Sequence, residues 1–257
     1  MIKYSIVFPY IFRSGQLHNT LMSFIHHYRD RKDYEVIIVE DVKNKEDVSE
    51  HALLLKVINS FKDKINIKLV ESNFKGINPA PLFNLGVEHS QGKYVVITNP
   101  EGFHYENILK GLDIHFSKRD GYVVCSCLNI TEYEMFSKNF ADFKFKPHSW
   151  YQHTQNRNAL FHFCSSMSKE NYLKIGGFDE RFADGYCYDD DDFRETVKRN
   201  NIPFIVDDLL LTLHQAHETV GKDMKDLEKK LKRNKALYCL KLQKASDEEI
   251  KNFLDSL

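Results

Sequence analysis

The amino-acid sequence predicts an α/β fold in which a mostly parallel sheet carries helices on both faces. Short β-branched runs alternate with segments that place apolar residues at three- and four-residue spacing, the pattern of strands joined by crossover helices. The chain of 257 residues is 42% hydrophobic and 13% aromatic, which is enough for a packed core. No repeat or low-complexity linker divides the sequence, so one main domain is expected.

The first half supplies four predicted strands, which read YSIVFPY, YEVIIVE, INIKLVE and KYVVITN. The predicted helices between them cover residues 14–30, 46–63 and 81–90. Open sheets of this kind bind ligands at the carboxyl ends of their strands. The candidate ligand-binding positions are therefore residues 9–13, Glu40 with Asp41, and residues 99–101.

The second half is less regular. Its predicted elements are a strand over residues 121–130, a short strand over 160–165, a helix from Ser168, a helix that begins in an acidic run, and a pair of strands within 202–217. Residues 131–158 carry little pattern and form either a functional loop or a hidden element. Residues 222–257 predict two charged amphipathic helices, packed as an extension on a main domain of residues 1–221.

Charge and cysteine content exclude several classes of function. The formal net charge is −1, from 36 basic and 37 acidic residues, so a nucleic-acid partner is not expected. No apolar run approaches the ~20 residues of a transmembrane helix, and Pro9 breaks the apolar opening, which favours a strand over a signal peptide. The five cysteines form no CxxC pair. We therefore expect a reducing, cytoplasmic location, with peripheral attachment to a membrane left open.

Two acidic stretches are the candidate chemical sites. The first, Asn99-Pro100-Glu101, follows the fourth predicted strand and suits either a turn or a cation site. The second is the run of four aspartates in GYCYDDDDF, where acids also suit the first turn of a helix. Successive helical residues turn by about 100°, so at most two of these aspartates can face one pocket.

The order of motifs resembles the family 2 inverting glycosyltransferases with a GT-A fold. The segments that carry the resemblance are FPY, VED, PLFNLGVEHSQGKYVVITNPE, GGFDERF and DDDDF, within residues 3–217. The last two are similar to segments of β-1,4-galactosyltransferases and polypeptide N-acetylgalactosaminyltransferases. The resemblance implies a Rossmann-like mixed sheet flanked by helices, as in nucleotide-diphospho-sugar transferases. It also implies a UDP-sugar donor, a Mn²⁺ or Mg²⁺ cofactor and a glycan acceptor.

The resemblance assigns a metal site and a base. Where the family has Asp-x-Asp, this chain has Asn99 and Glu101, so one carboxylate ligand has become a carboxamide. A late histidine is the third ligand, for which we favour His214; His217 faces the same pocket as well only if the segment turns helical. Imidazole favours Mn²⁺ over Mg²⁺. Asp190 falls at the general-base position, with Asp189 and Asp191 placed for acceptor hydroxyls.

The resemblance also suggests how the donor is bound. The candidate donor-binding residues are Pro9, Tyr10, Arg13, Asp41, Asn84, Asn99 and Gly177. Core packing is the alternative for the tyrosine, and a helix cap is the alternative for the glycine. Trp150, Tyr151 and His153 either stack on an acceptor sugar or belong to the core, and residues 140–150 are expected to govern the acceptor.

The sequence thus predicts a metal-dependent inverting glycosyltransferase that moves a hexose or N-acetylhexosamine from a UDP-sugar to a glycan hydroxyl. Two alternatives stay open. One is a catalytically silent GT-A module that binds carbohydrate or nucleotide, which the carboxamide of Asn99 allows. The other is a sugar nucleotidyltransferase, although YIFRSGQL lacks the glycine-rich basic loop that such an enzyme needs after its first strand.

Overall fold

A computed structural model describes residues 1–130, 147–217 and 227–256. Within these ranges one mixed sheet of nine strands forms the centre of the molecule. Its first four strands are β1 (Tyr4–Tyr10), β2 (Tyr34–Glu40), β3 (Ile67–Glu71) and β4 (Tyr94–Thr98). These strands are parallel and adjacent in the order β3-β2-β1-β4, which confirms the α/β prediction.

The crossover helices follow the predicted order. They are α1 (Ser14–Tyr28), α2 (Val42–Glu46), α3 (Val48–Phe61) and α4 (Ala80–Glu88). The helix predicted over residues 46–63 is α3, and α2 is a short additional helix directly before it. Asp47 separates them because it leaves helical geometry and caps α3 through the backbone N–H groups of Ser49 and Glu50.

Alternating strand residues build a core on each face of the sheet. Ile6 and Phe8 of β1 pack towards α1 and α3, whereas Val7 packs towards α4. Because both faces are covered, all seven residues of β1 and of β2 are buried. Burial on both faces explains why these strands read as continuous apolar runs rather than as alternating ones.

Five further strands extend the sheet: β5 (Gly102–His104), β6 (Tyr122–Ile130), β7 (Pro147–Gln152), β8 (Cys164–Ser168) and β9 (Phe204–His214). The full order is β3-β2-β1-β4-β8-β6-β9-β5, with β7 paired to β6. Three predictions need correction here. The strand expected over residues 160–165 begins at Cys164, part of the weakly patterned stretch is β7, and the expected pair of strands within 202–217 is the single strand β9.

The polar sequence inside β9 explains why the sequence predicts two strands where the structure has one. Cys125 of β6 pairs with Asp207, but the next residue, Ser126, pairs with Leu211. Residues 208–210 therefore bulge out of the ladder, and such a bulge resembles a hairpin turn in sequence.

Three helices flank this half: α5 (Ile108–Lys118), α6 (Lys169–Lys174) and α7 (Asp189–Arg199). Ser168 caps α6, which confirms the helix predicted to start at that residue. The acidic run opens α7, and two left-handed residues, Cys187 and Tyr188, turn the chain into the helix.

Two C-terminal helices, α8 (Leu227–Leu242) and α9 (Asp247–Asp255), pack against the segment that precedes α7. Phe182, Leu237 and Ile250 form a small core between them. Asn234 of α8 is fully buried and donates to the carbonyl oxygens of Phe182 at 3.0 Å and Cys187 at 2.9 Å. The expected division into residues 1–221 and a helical extension from residue 222 stays a prediction, since residues 218–226 lie outside the described ranges.

Within the described ranges, no helix combines the length and apolar composition that a bilayer span requires. All five cysteines are free thiols.

Candidate active site

Two adjoining clefts lie at the carboxyl ends of the parallel strands. The strand-end cleft has a volume of about 300 Å³ and is lined by the residues after β1, β2 and β4. The aspartate cleft, of about 180 Å³, reaches the start of α7 and contains Asp189 and Asp190. Five residues line both clefts: Ile77, Asn78, Pro79, Asn99 and Tyr186. The two acidic stretches therefore open onto one continuous depression.

Most of the predicted donor residues line the strand-end cleft. They are Pro9, Tyr10, Arg13, Asp41 and Asn99, together with the predicted metal ligand Glu101. The ring of Tyr10 is fully buried in the core behind the cleft, so the core-packing alternative describes most of its contacts. Burial raises the pKa of its phenol. Lys43 also lines this cleft, and the sequence pattern had not selected it.

Asp41 is fixed by the helix that it precedes. One carboxylate oxygen accepts the backbone N–H of Lys43 at 2.8 Å and caps α2, and the residue is only 4% exposed. Burial raises the pKa of this carboxyl, against the opposing hydrogen bond and charge of Lys43. The carboxylate at the end of β2 is therefore held rigidly at the wall of the cleft.

The Asn-Pro-Glu stretch is a turn that also presents Glu101. The backbone N–H of Gly102 donates to the carbonyl of Asn99 at 2.9 Å, so residues 99–102 form a β-turn with proline at its second position. The next residues are β5, in which Gly102 pairs with His214 of β9. The ladder places Glu101 beside the end of β9.

Glu101, His214 and His217 form a compact group of metal-type donors. A carboxylate oxygen of Glu101 lies 3.8 Å from His214 Nε2 and 3.5 Å from His217 Nε2. The two imidazole nitrogens are 3.3 Å apart. His214 is the last residue of β9, and His217 follows three residues later outside the strand, with its ring against that of His214. Burial disfavours the Glu101 carboxylate, but His214, His217 and Arg13 outweigh this and lower its pKa to about 2.

This donor set fits a divalent cation. One carboxylate oxygen and two imidazole nitrogens suit Mn²⁺ or another transition metal better than Mg²⁺, which prefers oxygen. His214 Nδ1 contacts Asn129 Oδ1 at 2.9 Å, which fixes the ring and leaves Nε2 facing the other two donors. Asn99, the other predicted ligand, lines the strand-end cleft together with Glu101.

A buried amide network holds Glu101 and the two histidines against α1. Gln215 lies between the two histidines in sequence and is 2% exposed. Its Oε1 accepts from Asn19 Nδ2 at 2.9 Å, and its Nε2 donates to Thr20 Oγ1 at 3.1 Å. The backbone N–H of Gln215 donates to the carbonyl of Glu101 at 3.0 Å. The histidine segment and the turn are thus joined to one rigid helix.

The four aspartates of α7 point in different directions, and each has its own partner. Asp189 is buried and accepts from Asn78 Nδ2 at 2.7 Å. Burial, together with the charge of Asp190, raises the pKa of Asp189 well above its ordinary value. Asp190 is partly exposed in the aspartate cleft, where its carboxylate lies 2.7 Å from His162 Nδ1.

The other two aspartates face away from the cleft. Asp191 lies 3.1 Å from a guanidinium nitrogen of Arg194, one turn later on the same helix. Asp192 is 2% exposed and lies 2.6 Å from Lys241 Nζ of α8. The structure therefore brings Asp189 and Asp190 to the cleft and does not bring Asp191 there.

Asn84 and Gly177 also lie outside both clefts. They line a separate surface groove, where Asn84 Oδ1 accepts from the backbone N–H of Phe178 at 2.9 Å and from the Tyr172 hydroxyl at 2.7 Å. Gly177 has φ +67°, and a Cβ there would lie 2.4 Å from the Asn84 oxygen. Both residues build the turn after α6, and the donor-binding role predicted for them has no support in this geometry.

The predicted acceptor aromatics are divided between the core and the site. Trp150 packs with Phe103, Leu128 and Leu213 in a satellite core and contacts the His153 ring. Tyr151 instead packs on Phe163, with ring centroids 4.2 Å apart, and on His214. Residues 140–146, part of the segment expected to govern the acceptor, lie outside the described ranges.

The sequence comparison gives one informative relative. No family model matches the sequence. Over 112 residues the chain is 28% identical to the poly(ribitol-phosphate) β-N-acetylglucosaminyltransferase TarP of Staphylococcus aureus, a match that covers 44% of this chain and 32% of that protein. The match thus spans about a third of the length of the curated relative.

Solved glycosyltransferase structures share the fold. TarS residues 1–349 of S. aureus with UDP-GlcNAc gives a TM-score of 0.65 at 14% identity, over 93% of this chain and 67% of that one. The mannosyltransferase PcManGT of Pyrobaculum calidifontis with GDP-Man and Mn²⁺ gives 0.58 at 13% identity, over 93% and 62%. These likenesses confirm the predicted GT-A-type fold.

Proposed function

We propose that this protein is a glycosyltransferase that transfers a sugar from a nucleotide-sugar to an acceptor hydroxyl with inversion at the anomeric carbon. The observation that carries the proposal is the continuity of the two clefts. One holds a metal-type donor group, Glu101 with two histidines, and the other holds the carboxylates of Asp189 and Asp190. Inverting transfer needs both functions at one place, on opposite sides of the reacting carbon.

In this proposal the strand-end cleft takes the nucleotide diphosphate. Its volume of about 300 Å³ lies at the lower end of the range for small-molecule sites. Asp41 supplies a fixed acceptor for N–H or O–H groups of the base or ribose, and Arg13 lies near Glu101. A bound divalent cation supplies positive charge that stabilises the leaving diphosphate. Glu101, His214 and His217 are the residues that would hold it.

Asp190 acts as the general base. Its carboxylate takes the proton of the acceptor hydroxyl while that oxygen forms its bond to the anomeric carbon. The bond between this carbon and the diphosphate oxygen breaks on the opposite side, and the nucleoside diphosphate departs. Asp189, only 6% exposed and bonded to Asn78, fixes the first turn of α7 that carries the base.

UDP-N-acetylglucosamine is the donor that we propose first. TarP is named as an N-acetylglucosaminyltransferase, and TarS was solved with UDP-GlcNAc. PcManGT was solved with GDP-Man, so GDP-mannose is the alternative donor to test. For the acceptor we propose a glycan or polyol hydroxyl, because the TarP name specifies a poly(ribitol phosphate).

The test combines turnover and metal binding. The wild-type protein is incubated with UDP-N-acetylglucosamine and Mn²⁺, and release of UDP is measured with and without candidate acceptors. Mn²⁺ affinity is measured separately by electron paramagnetic resonance in the presence of UDP. We expect His217→Ala to weaken Mn²⁺ binding by at least about 10-fold. The matched control is His115→Ala, which removes a histidine that pairs with Asp207 outside both clefts.

Three outcomes contradict the proposal. Donor binding without turnover for any donor indicates a silent binding module. Consumption of a sugar 1-phosphate with a nucleoside triphosphate indicates a nucleotidyltransferase. Equal Mn²⁺ affinity of the wild type and His217→Ala shows that His217 is not a ligand and contradicts the proposed metal site.

A further inference from the structure

His162 is a buried histidine in the aspartate cleft that neither the sequence pattern nor the resemblance selected. It lies between β7 and β8, two residues before the start of β8. Its side chain is 7% exposed, and its Nδ1 lies 2.7 Å from a carboxylate oxygen of Asp190. Because Asp190 is the base in the proposed function, a buried partner at this distance bears directly on the proton transfer.

Two phenylalanines fix the orientation of the imidazole ring. Phe83 of α4 and Phe178 each meet it edge to face, with ring centroids 4.9 Å apart in both contacts. These two phenylalanines also stack on each other at 5.0 Å. Such a pocket leaves the ring little freedom to turn away, so the direction of Nδ1 is set by packing rather than by Asp190 alone.

The charges around the ring favour an imidazolium. The charged groups that act on His162 are Asp190 and Asp189, both from α7, while α4 and the turn after α6 present the uncharged Phe83 and Phe178. Burial lowers the pKa of His162, but the two carboxylates outweigh burial and raise it. A cation here also offsets the repulsion between two neighbouring carboxylates.

We propose that His162 is the positioning residue of the general base: its ring, fixed between Phe83 and Phe178, holds the Asp190 carboxylate in one orientation in the aspartate cleft. This inference rests on the proposed function for its catalytic consequence, although the ion pair itself is a property of the folded protein. His162 touches neither substrate nor the reacting carbon, and it acts through Asp190.

Two substitutions separate the charge of His162 from its bulk. His162→Phe keeps an aromatic ring between Phe83 and Phe178, so the variant is expected to fold, but it removes the cation and the N–H donor. His162→Asn keeps an amide N–H near the position of Nδ1 without the charge. The matched control is His115→Phe, because His115 also lies 2.7 Å from an aspartate, Asp207, but outside the clefts.

We expect His162→Phe to lower kcat by about 10- to 100-fold, with the donor KM within about twofold of the wild type. The pH–rate profile of His162→Phe should lose the contribution from titration of His162, because this side chain no longer carries an ionisable group. His162→Asn should recover part of kcat but should also lack that contribution. Wild-type kcat and an unchanged profile for His162→Phe overturn the proposal, as does an equal effect of His115→Phe.

A second measurement does not depend on turnover. Nuclear magnetic resonance of ring-labelled histidine gives the titration of His162 in the wild type and in Asp190→Asn. We expect the wild-type imidazolium to persist to higher pH than in the variant. Identical titrations show that the pair does not form, and they overturn the inference even if the protein is a glycosyltransferase. A wild type that transfers no sugar while the titrations differ overturns only the proposed function.

Discussion

The four aspartates at the start of α7 divide into two pairs that differ in whether they line the cleft and in their partners. Asp189 and Asp190 face the cleft, where their partners are the neutral amide of Asn78 and the imidazole of His162. Asp191 and Asp192 line neither cleft, and their partners are the basic side chains of Arg194 and Lys241.

The two pairs of aspartates also differ in the chemistry of the side chains that pair with their carboxylates. Asp191 and Asp192 are each paired with a lysine or guanidinium cation and line neither cleft, so we expect this pair to support the fold. Asp189 and Asp190 line the aspartate cleft, and the histidine partner of Asp190 can itself gain or lose a proton. Access to a ligand and a partner that can exchange a proton both suit the proposed general base.

Asp192 also connects α7 to the C-terminal helices. Lys241 of α8 pairs with Asp179 as well as with Asp192, and Arg181 pairs with Asp179. Asn234, on the same helix, holds the backbone just before α7. The support for the helix that carries the proposed base is therefore supplied by a segment distant from it in sequence.

The largest expected effect is on kcat and comes from Asp190, one of the two aspartates that line the cleft. Asp190→Asn removes the proposed base with little change in volume, and kcat should fall by roughly 10²- to 10⁴-fold. Donor and Mn²⁺ affinities should stay within about threefold of the wild type, because Asp190 is not part of the metal-type group. Steady-state kinetics with a paired binding titration give both values. An Asp190→Asn protein that keeps more than a tenth of wild-type kcat contradicts the division between the pairs.

The second largest effect is on stability and concerns Asp192, one of the two aspartates that line neither cleft. Lys241→Met keeps the aliphatic stem but leaves buried Asp192 without its cation, which should lower the free energy of unfolding at pH 7 by about 3 kcal/mol. Urea denaturation followed by circular dichroism measures this change. A loss below about 1 kcal/mol shows that the ion pair does not hold α8 to α7.

The same variant should show a defined pH dependence. Lys241 and Arg181 outweigh burial and lower the pKa of Asp179 to about 2, below its ordinary value. The stabilisation from this group is therefore present above pH ~4 and is lost as the pH falls towards 2. Burial raises the pKa of Asp192 despite Lys241, so protonation at low pH also relieves the charge left buried in the variant. The stability difference between the wild type and Lys241→Met should consequently shrink below pH ~4.

The smallest effect should come from Asp191. Its pair with Arg194 is partly exposed, so Asp191→Asn should cost less than about 1 kcal/mol of unfolding free energy, including its interaction with the start of α7. Its kcat should stay within about twofold of the wild type. A tenfold loss of kcat in transfer assays means that Asp191 contacts the acceptor, as the sequence resemblance implied, and that the two pairs are not separate in function.

The strands and most cleft positions could be read from local sequence. Strands β1, β2 and β4 are buried on both faces and appear as short apolar runs, and the residues that follow them, such as Asp41 and Glu101, line the strand-end cleft. The sequence offers His217 only as a second candidate beside His214, and it does not select His162. Each meets its partners through contacts between distant segments: His217 with Glu101, and His162 with Asp190.

The sequence by itself determined the α/β class, the ligand-binding edge of the sheet, and the limit of two aspartates at any one pocket, because periodicity and helix geometry act over a few residues. Only the tertiary structure decided which two aspartates face the cleft and which partner each receives. It also decided that Glu101 meets two histidines, through the pairing of Gly102 with His214. These outcomes depend on strand register and on the packing of α4 and α8 against α7, which bring together side chains that are remote along the chain.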